Sequence, residues 1–251
     1  MKKYFIILTG IVFSLNIFAN DDLKTFTDSA FNYYLEGDYD NALRIYSNLY
    51  EQDYSSADLY YNMGNCYYKN GDIANAVYFY EKAHILKPGD KDIDHNLKIA
   101  TSNIRNKVEK IPEVFYVTWY NNFISIMSSD SWAVISIVFF VTSLLLVILF
   151  LFSRKIIIRK TGFILGIIFF ITSIMSFIFA KSQAHLINNN TYAIVFEPSM
   201  VKSSPSEDSM NLFEINEGLK VEVIDSINIW INVRLADGKE GWVPGKNIKR
   251  L

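Results

Sequence analysis

Histidine and cysteine, the residues that most often bind metals or act as nucleophiles, are scarce in this chain of 251 residues. The three histidines, His84, His95 and His185, lie in different segments, and none belongs to an H-E-x-x-H sequence. Cys66 is the single cysteine, so the chain cannot form an internal disulfide or a paired-thiol redox motif. We therefore expect no bound metal, no cofactor and no catalytic residue.

Charge and motif content argue against two further classes of function. The formal net charge of -2 at pH 7 provides no positive field that would attract nucleic acid. No glycine-rich loop matches a phosphate-binding motif. The sequence thus predicts a protein that is not an enzyme. An enzyme with paired carboxylates is the alternative, because acidic residues distant in sequence can meet in space.

The amino-terminal half of the chain contains an internal repeat. Residues 23–56 and 57–90 align with each other at an offset of 34, the period of the tetratricopeptide repeat (TPR). The second copy resembles that repeat at nearly every signature position, whereas the first carries Leu49 and Tyr54 where alanine and proline are usual. We predict an all-α TPR domain over residues 21–108, including a polar capping helix over residues 91–107.

The first helices of such repeats line a concave face, so side chains next to the signature positions should project into a groove. Because Tyr61 replaces the lysine of the carboxylate-clamp pattern, a free C-terminal carboxylate is not the expected ligand. The alternative is that the aromatic side chains only cover a small core. The predicted protein-binding groove consists of Phe31, Tyr34, Tyr61, Asn62, Asn65, Tyr68 and Lys69.

Two long uncharged runs in the middle of the chain predict a membrane hairpin. Residues 132–180 contain two transmembrane helices in this interpretation, joined by a turn at residues 153–161. The turn is basic and carries no acidic residue, which indicates a cytoplasmic location. Residues 1–20 have the pattern of a cleaved signal peptide, with an uncleaved anchor as the alternative.

Residues 109–131 are rich in aromatic side chains and contain few charges, which favours an amphipathic helix at the level of the lipid headgroups. A further helix packed on the repeats is the alternative. Together with the signal peptide, the basic turn places both ends of the chain outside the cytoplasm. We expect a multi-pass protein of the bacterial inner membrane, with its N- and C-terminal domains in the periplasm.

Residues 190–251 change to short alternating segments separated by glycine and proline, the pattern of a small all-β barrel. The order of Glu217-Gly218, Trp230, Asp237-Gly238 and Gly241-Trp242-Val243 resembles a bacterial SH3 domain. We expect Trp242 in the core and Trp230 partly exposed. The resemblance implies an aromatic ligand patch, with a core role as the alternative: Tyr192, Phe196, Phe213 and Trp230.

The order of these segments resembles the BatE family of the bacterial aerotolerance operon. That resemblance implies von Willebrand A-type membrane proteins as partners and no reaction. Two functions remain open. The favoured one is a non-catalytic membrane scaffold that binds envelope proteins through the groove and the SH3-like domain. The other is a cell-wall sensor whose SH3-like domain binds peptidoglycan.

Overall fold

A computed structural model describes residues 21–105, 108, 114–188 and 191–251. The predicted signal peptide and residues 109–113 of the predicted juxtamembrane helix lie outside these residues. The chain divides into two compact units, one up to Tyr54 and one from Ser55 onward.

From residue 21 onward, the first unit contains a pair of packed helices, α1 (Asp21–Leu35) and α2 (Tyr39–Glu51). Gly37 forms the turn between them with φ of 82°, a conformation that costs glycine least. The side chain of Asp38 then accepts a hydrogen bond from the Asn41 amide at 3.1 Å and so caps α2. The apolar faces of the pair bury Ala30, Ala42, Tyr46 and Leu49.

The second unit begins with the helices α3 (Ala57–Lys69), α4 (Ile73–Leu86) and α5 (Lys91–Ser102). The turn before α4 repeats the one before α2, 34 residues later, with Gly71 at φ of 80° and Asp72 as the cap. Helices α3 and α4 approach closely at Gly64, where a β-carbon would lie 2.6 Å from Cδ1 of Tyr80. Tyr80 is almost fully buried in this contact.

A short helix and a long hairpin follow, namely α6 (Phe115–Ile124), α7 (Ser129–Phe152) and α8 (Ile156–Asn188). By length and composition, α7 and α8 could each cross a membrane. Serine side chains join them: Ser136 and Ser173 each donate to the other's carbonyl oxygen at 2.9 Å. Ser143 likewise donates to the Gly166 carbonyl at 2.9 Å.

Helix α6 lies beside the C-terminal part of α8. Its Tyr120 donates to Ser182 Oγ at 3.2 Å, and the rings of Phe123 and Phe179 are 5.5 Å apart. The chain after α6 contacts the turn between α4 and α5, because a β-carbon on Gly89 would lie 2.8 Å from the Ile126 carbonyl oxygen. The second repeat therefore packs against the segment that leads into α7.

The C-terminal segment forms an antiparallel sheet with strand order β3-β2-β6-β5-β4-β1-β7. Its turns include Gly218 and Gly238, both at positive φ. Its core is aliphatic and includes Val201, Val221 and Val243. The strands are β1 (Tyr192–Val195), β2 (Ser199–Lys202), β3 (Asn211–Ile215), β4 (Lys220–Ile227), β5 (Trp230–Arg234), β6 (Glu240–Pro244) and β7 (Ile248–Arg250).

Candidate protein-binding surfaces

Tyr61 and Asn65, two residues of the predicted groove, form a polar network between helices. Oδ1 of Asn65 accepts hydrogen bonds from the Tyr80 hydroxyl at 2.7 Å and from Nδ2 of Asn96 at 2.9 Å. The same amide of Asn96 donates to the Tyr61 hydroxyl oxygen at 2.9 Å. These bonds join α3 to α4 and α5, so Tyr61 and Asn65 help to hold the repeat together.

The other predicted residues on α3 are more open. Lys69 is exposed and Asn62 is half-buried, while the half-buried Tyr68 accepts a hydrogen bond from Nδ2 of Asn103 at 3.2 Å. Phe31 and Tyr34 belong to the first unit, where their rings stack with centroids 6.4 Å apart and Phe31 is 48% exposed. Both units therefore present accessible aromatic or polar side chains at predicted positions.

Asn96 and Asn103 were not identified from the sequence, although the repeat period points to them. They lie 34 residues after Asn62 and Lys69, and α5 begins 34 residues after α3. Helix α5 thus occupies the place of the first helix of a third repeat and extends the polar face of α3.

A second surface lies where the sheet meets the helical repeat. Nζ of Lys220, on β4, is 2.6 Å from Oε2 of Glu81 on α4, whose side chain is only 8% exposed. The same ammonium group lies 4.6 Å from the centre of the Tyr192 ring. The ion pair therefore connects the two domains, and the cation–π contact holds the same lysine against β1 within the sheet.

Aromatic packing extends this junction. The rings of Phe196 and Tyr78 meet edge to face at 5.8 Å, and Nζ of Lys249 lies 4.3 Å from the centre of the Tyr78 ring. A β-carbon on Gly218 would lie 3.2 Å from the Ile104 side chain. A cavity of about 610 Å³ remains beside these contacts, with Arg234 among its lining residues.

The four residues of the predicted SH3-like ligand patch have different surroundings. Tyr192 is 43% exposed beneath Lys220, and Phe196 packs on the helical repeat. Phe213 is half-buried against the core of the sheet. The expectation that Trp230 is partly exposed was wrong, because this side chain is 6% exposed. Trp230 begins a strand between two neighbours, opposite Ile227 of β4 and Pro244 of β6.

Trp242, by contrast, is only half-buried. It lies opposite Lys202 at the single described pairing between β2 and β6, which leaves one side of its strand less covered. Val243, the next residue, supplies the buried side chain of this strand. The sequence motif identified the strand correctly but not which of its side chains points to the core.

Two titratable groups near these surfaces have shifted pKa values. Burial raises the pKa of the Cys66 thiol to about 12, so little of the nucleophilic thiolate forms near neutral pH. A hydrogen bond to Glu240 raises the pKa of Arg234, which also contacts Glu222 at 3.2 Å. Among the described residues, no group of three or more histidine, cysteine or acidic side chains is placed to hold a metal ion.

Comparison with known families agrees with this geometry. Residues 57–90 match the tetratricopeptide repeat family, and residues 201–249 match the bacterial SH3 domain family. The chain therefore contains a TPR region and an SH3-like domain. The predicted fold class is therefore confirmed: a helical TPR region, two candidate membrane helices and an antiparallel all-β domain. TPR helices present extended binding surfaces, which supports a role in protein–protein interaction.

Whole-chain comparisons add little to these two matches. A search of curated proteins finds no match. Among solved structures, one similar chain comes from the crystal structure of the Yersinia enterocolitica type III secretion chaperone SycD in complex with a peptide of the translocator YopD. It is 19% identical, and the alignment covers 44% of this chain and 94% of that one. Because the TM-score is 0.28, this likeness carries no argument about function.

Proposed function

We propose that the protein is a membrane-anchored, non-catalytic scaffold that binds other envelope proteins. The observation that carries this proposal is the contact of the second TPR repeat with both the SH3-like domain and the end of the hairpin. Glu81 pairs with Lys220 on the sheet, and Gly89 packs on the backbone that enters α7. Two interaction domains are thereby combined at one end of an apolar anchor.

The TPR helices of each unit provide proposed partner-binding side chains. Asn62, Tyr68 and Lys69 offer polar and aromatic groups on α3, and Phe31 and Tyr34 offer aromatic groups in the first unit. Tyr61 and Asn65 support this face through their bonds to Asn96. On α3, a protein segment with both apolar and hydrogen-bonding side chains fits Asn62, Tyr68 and Lys69.

The hairpin provides the proposed anchor, with α7 and α8 as membrane spans and their basic turn in the cytoplasm. The signal peptide would then direct the TPR and SH3-like domains to the periplasmic side. The resemblance to the BatE family extends the proposal to von Willebrand A-type partners in an aerotolerance or stress-related membrane complex.

Orientation is tested with a reporter enzyme that is active only in the cytoplasm. Inserted between Lys155 and Ile156, the reporter should be active, whereas fused after Leu251 it should be inactive. An active fusion at Leu251 would overturn the proposed orientation.

The scaffold function is tested by cross-linking in the native membrane followed by mass spectrometry of the recovered proteins. Asn62→Ala with Lys69→Ala should remove a specific partner, because both side chains belong to the proposed binding face. The repeat should stay folded, because neither residue takes part in the network around Asn65. The matched control is Asn211→Ala with Lys246→Ala, which changes the same residue types in the SH3-like domain. If both double variants recover the same proteins as the parent chain, the proposed binding face is wrong.

Peptidoglycan sensing is the second proposal, and the burial of Trp230 weighs against it. Phe196 is also engaged at the contact with the helical repeat, and Tyr192 lies beneath Lys220. Sedimentation of the purified full chain with peptidoglycan distinguishes the two functions. The scaffold proposal expects the chain to stay in the supernatant, whereas pelleting that Tyr192→Ala abolishes would favour the sensor.

A further inference from the structure

The turn between α7 and α8 and the start of α8 are strongly basic and lie in a long segment without acidic residues. Arg154, Lys155, Arg159 and Lys160 occur within seven positions, whereas no aspartate or glutamate occurs between Asp130 and Glu197. The ion pairs formed by the described residues include none of these four cations. Their positive charge is therefore not neutralised by neighbouring residues of the hairpin.

A cavity of about 370 Å³ lies beside this turn. Its walls combine the cations Arg159 and Lys160 with the apolar side chains of Phe150, Ile156 and Phe163. The rings of Phe150 and Phe163 are 5.3 Å apart, and the Arg159 guanidinium carbon lies 5.5 Å from the centre of the Phe150 ring. The cavity thus presents two positive charges directly beside an aromatic, apolar surface.

This surface is open to its surroundings. Ile156 is 69% exposed and Phe163 is 51% exposed, although both belong to the walls of the cavity. A ligand that matches the cavity needs a negative group for the cations and a hydrocarbon part for the aromatic walls. A phospholipid with a net negative headgroup has both, and basic pockets between membrane helices bind such headgroups.

We propose that this cavity binds an anionic phospholipid, whose phosphate contacts Arg159 and Lys160 while an acyl chain lies on the aromatic walls. The proposal rests on the membrane-anchoring function proposed above. Arg154 and Lys155 contribute to the general attraction of the turn for a negative membrane surface, but they do not line the cavity. This difference separates a specific lipid site from a general electrostatic effect.

The test uses the purified full chain in a zwitterionic detergent, with native mass spectrometry to measure retention of phosphatidylglycerol and phosphatidylcholine. Arg159→Gln with Lys160→Gln should weaken phosphatidylglycerol binding about 30-fold, which corresponds to about 2 kcal/mol for two cations near a lipid surface. Arg154→Gln with Lys155→Gln removes the same net charge and should weaken binding less than about threefold. Arg159→Lys, which keeps the charge, should bind within about threefold of the parent chain.

Four results would overturn the lipid site without affecting the proposed anchor. They are an equal loss of phosphatidylglycerol binding in the two double glutamine variants, no loss of binding in either, equal retention of both lipids, or displacement of phosphatidylglycerol by millimolar inorganic phosphate. Displacement by phosphate would indicate a site for a free anion and not for a lipid. Flotation of the chain with phosphatidylcholine vesicles tests the membrane anchor independently. A chain that does not float would overturn the anchoring function and the lipid site with it.

Discussion

Replacement of Lys220 by alanine removes the cation that faces a buried carboxylate. The Glu81 side chain is 8% exposed and Lys220 is 37% exposed, with Nζ and Oε2 at 2.6 Å. Breaking a fully buried pair costs roughly 3–5 kcal/mol, because the remaining charge is left without a partner. Since water reaches part of Lys220, we expect a smaller loss of about 1–3 kcal/mol in the free energy of unfolding.

The opposite change should cost less. Glu81→Gln removes the buried negative charge and leaves a lysine that can be hydrated, so we expect a loss below about 1 kcal/mol. In the double variant, Glu81→Gln should recover most of the stability that Lys220→Ala removes, because no buried charge then lacks a partner. The asymmetry between the two single variants is the specific consequence of their unequal burial.

The assay is denaturant unfolding of the full chain in non-ionic detergent, followed by the near-ultraviolet circular dichroism of its aromatic residues. Lys239→Ala is the control, since the pair of Lys239 and Asp237 lies on the surface with the lysine 63% exposed. A Lys220→Ala shift no larger than that of the control would refute the reasoning. Strict additivity in the double variant would refute it equally.

Three further predictions follow from other described groups. Asp90→Ala should cost about 1 kcal/mol, because Asp90 caps α5. A hydrogen bond from Lys87 lowers the pKa of Asp90, so the stabilisation from this carboxylate is present above the ordinary pKa of 3.8 and is lost as the pH falls below it. The free energy of unfolding, measured against pH, should therefore include this loss in the parent chain and lack it in Asp90→Ala. Cys66 should react with a thiol reagent at pH 8 only after denaturation, and rapid labelling of the folded chain would contradict its burial. Trp230→Ala should unfold the SH3-like domain at a cost of roughly 3–5 kcal/mol, whereas Trp242→Ala should leave the domain folded. Circular dichroism of the two variants measures this difference. A larger loss of structure in Trp242→Ala than in Trp230→Ala would contradict the observed burial.

Several features could be predicted from the sequence because their causes are local. Gly37 and Gly71 allow the left-handed turn between paired helices, and the aspartates that follow them cap the next helix. The two uncharged runs are long enough for membrane spans whatever surrounds them. Alternation with glycine turns likewise indicated the all-β domain.

The candidate surfaces could be predicted only in part. Helical spacing predicts a binding face on α3, but it could not separate Lys69, which is exposed, from Asn65, which is bonded to two other helices. Alternation along a strand does not say which face is covered, so it could not show that Trp230 is buried and Trp242 only half-buried. Both distinctions depend on neighbours supplied by other elements.

Sequence patterns were sufficient to predict the repeat period, the apolar hairpin and the type of each domain, because each follows from residues within one element or one repeat. Only the tertiary structure showed that the sheet packs on α4. That contact joins Glu81 to Lys220, which are 139 residues apart, with the whole hairpin between them. No local pattern pairs such residues, since the energy of the contact comes from burying a carboxylate beside a cation that only the folded chain brings near.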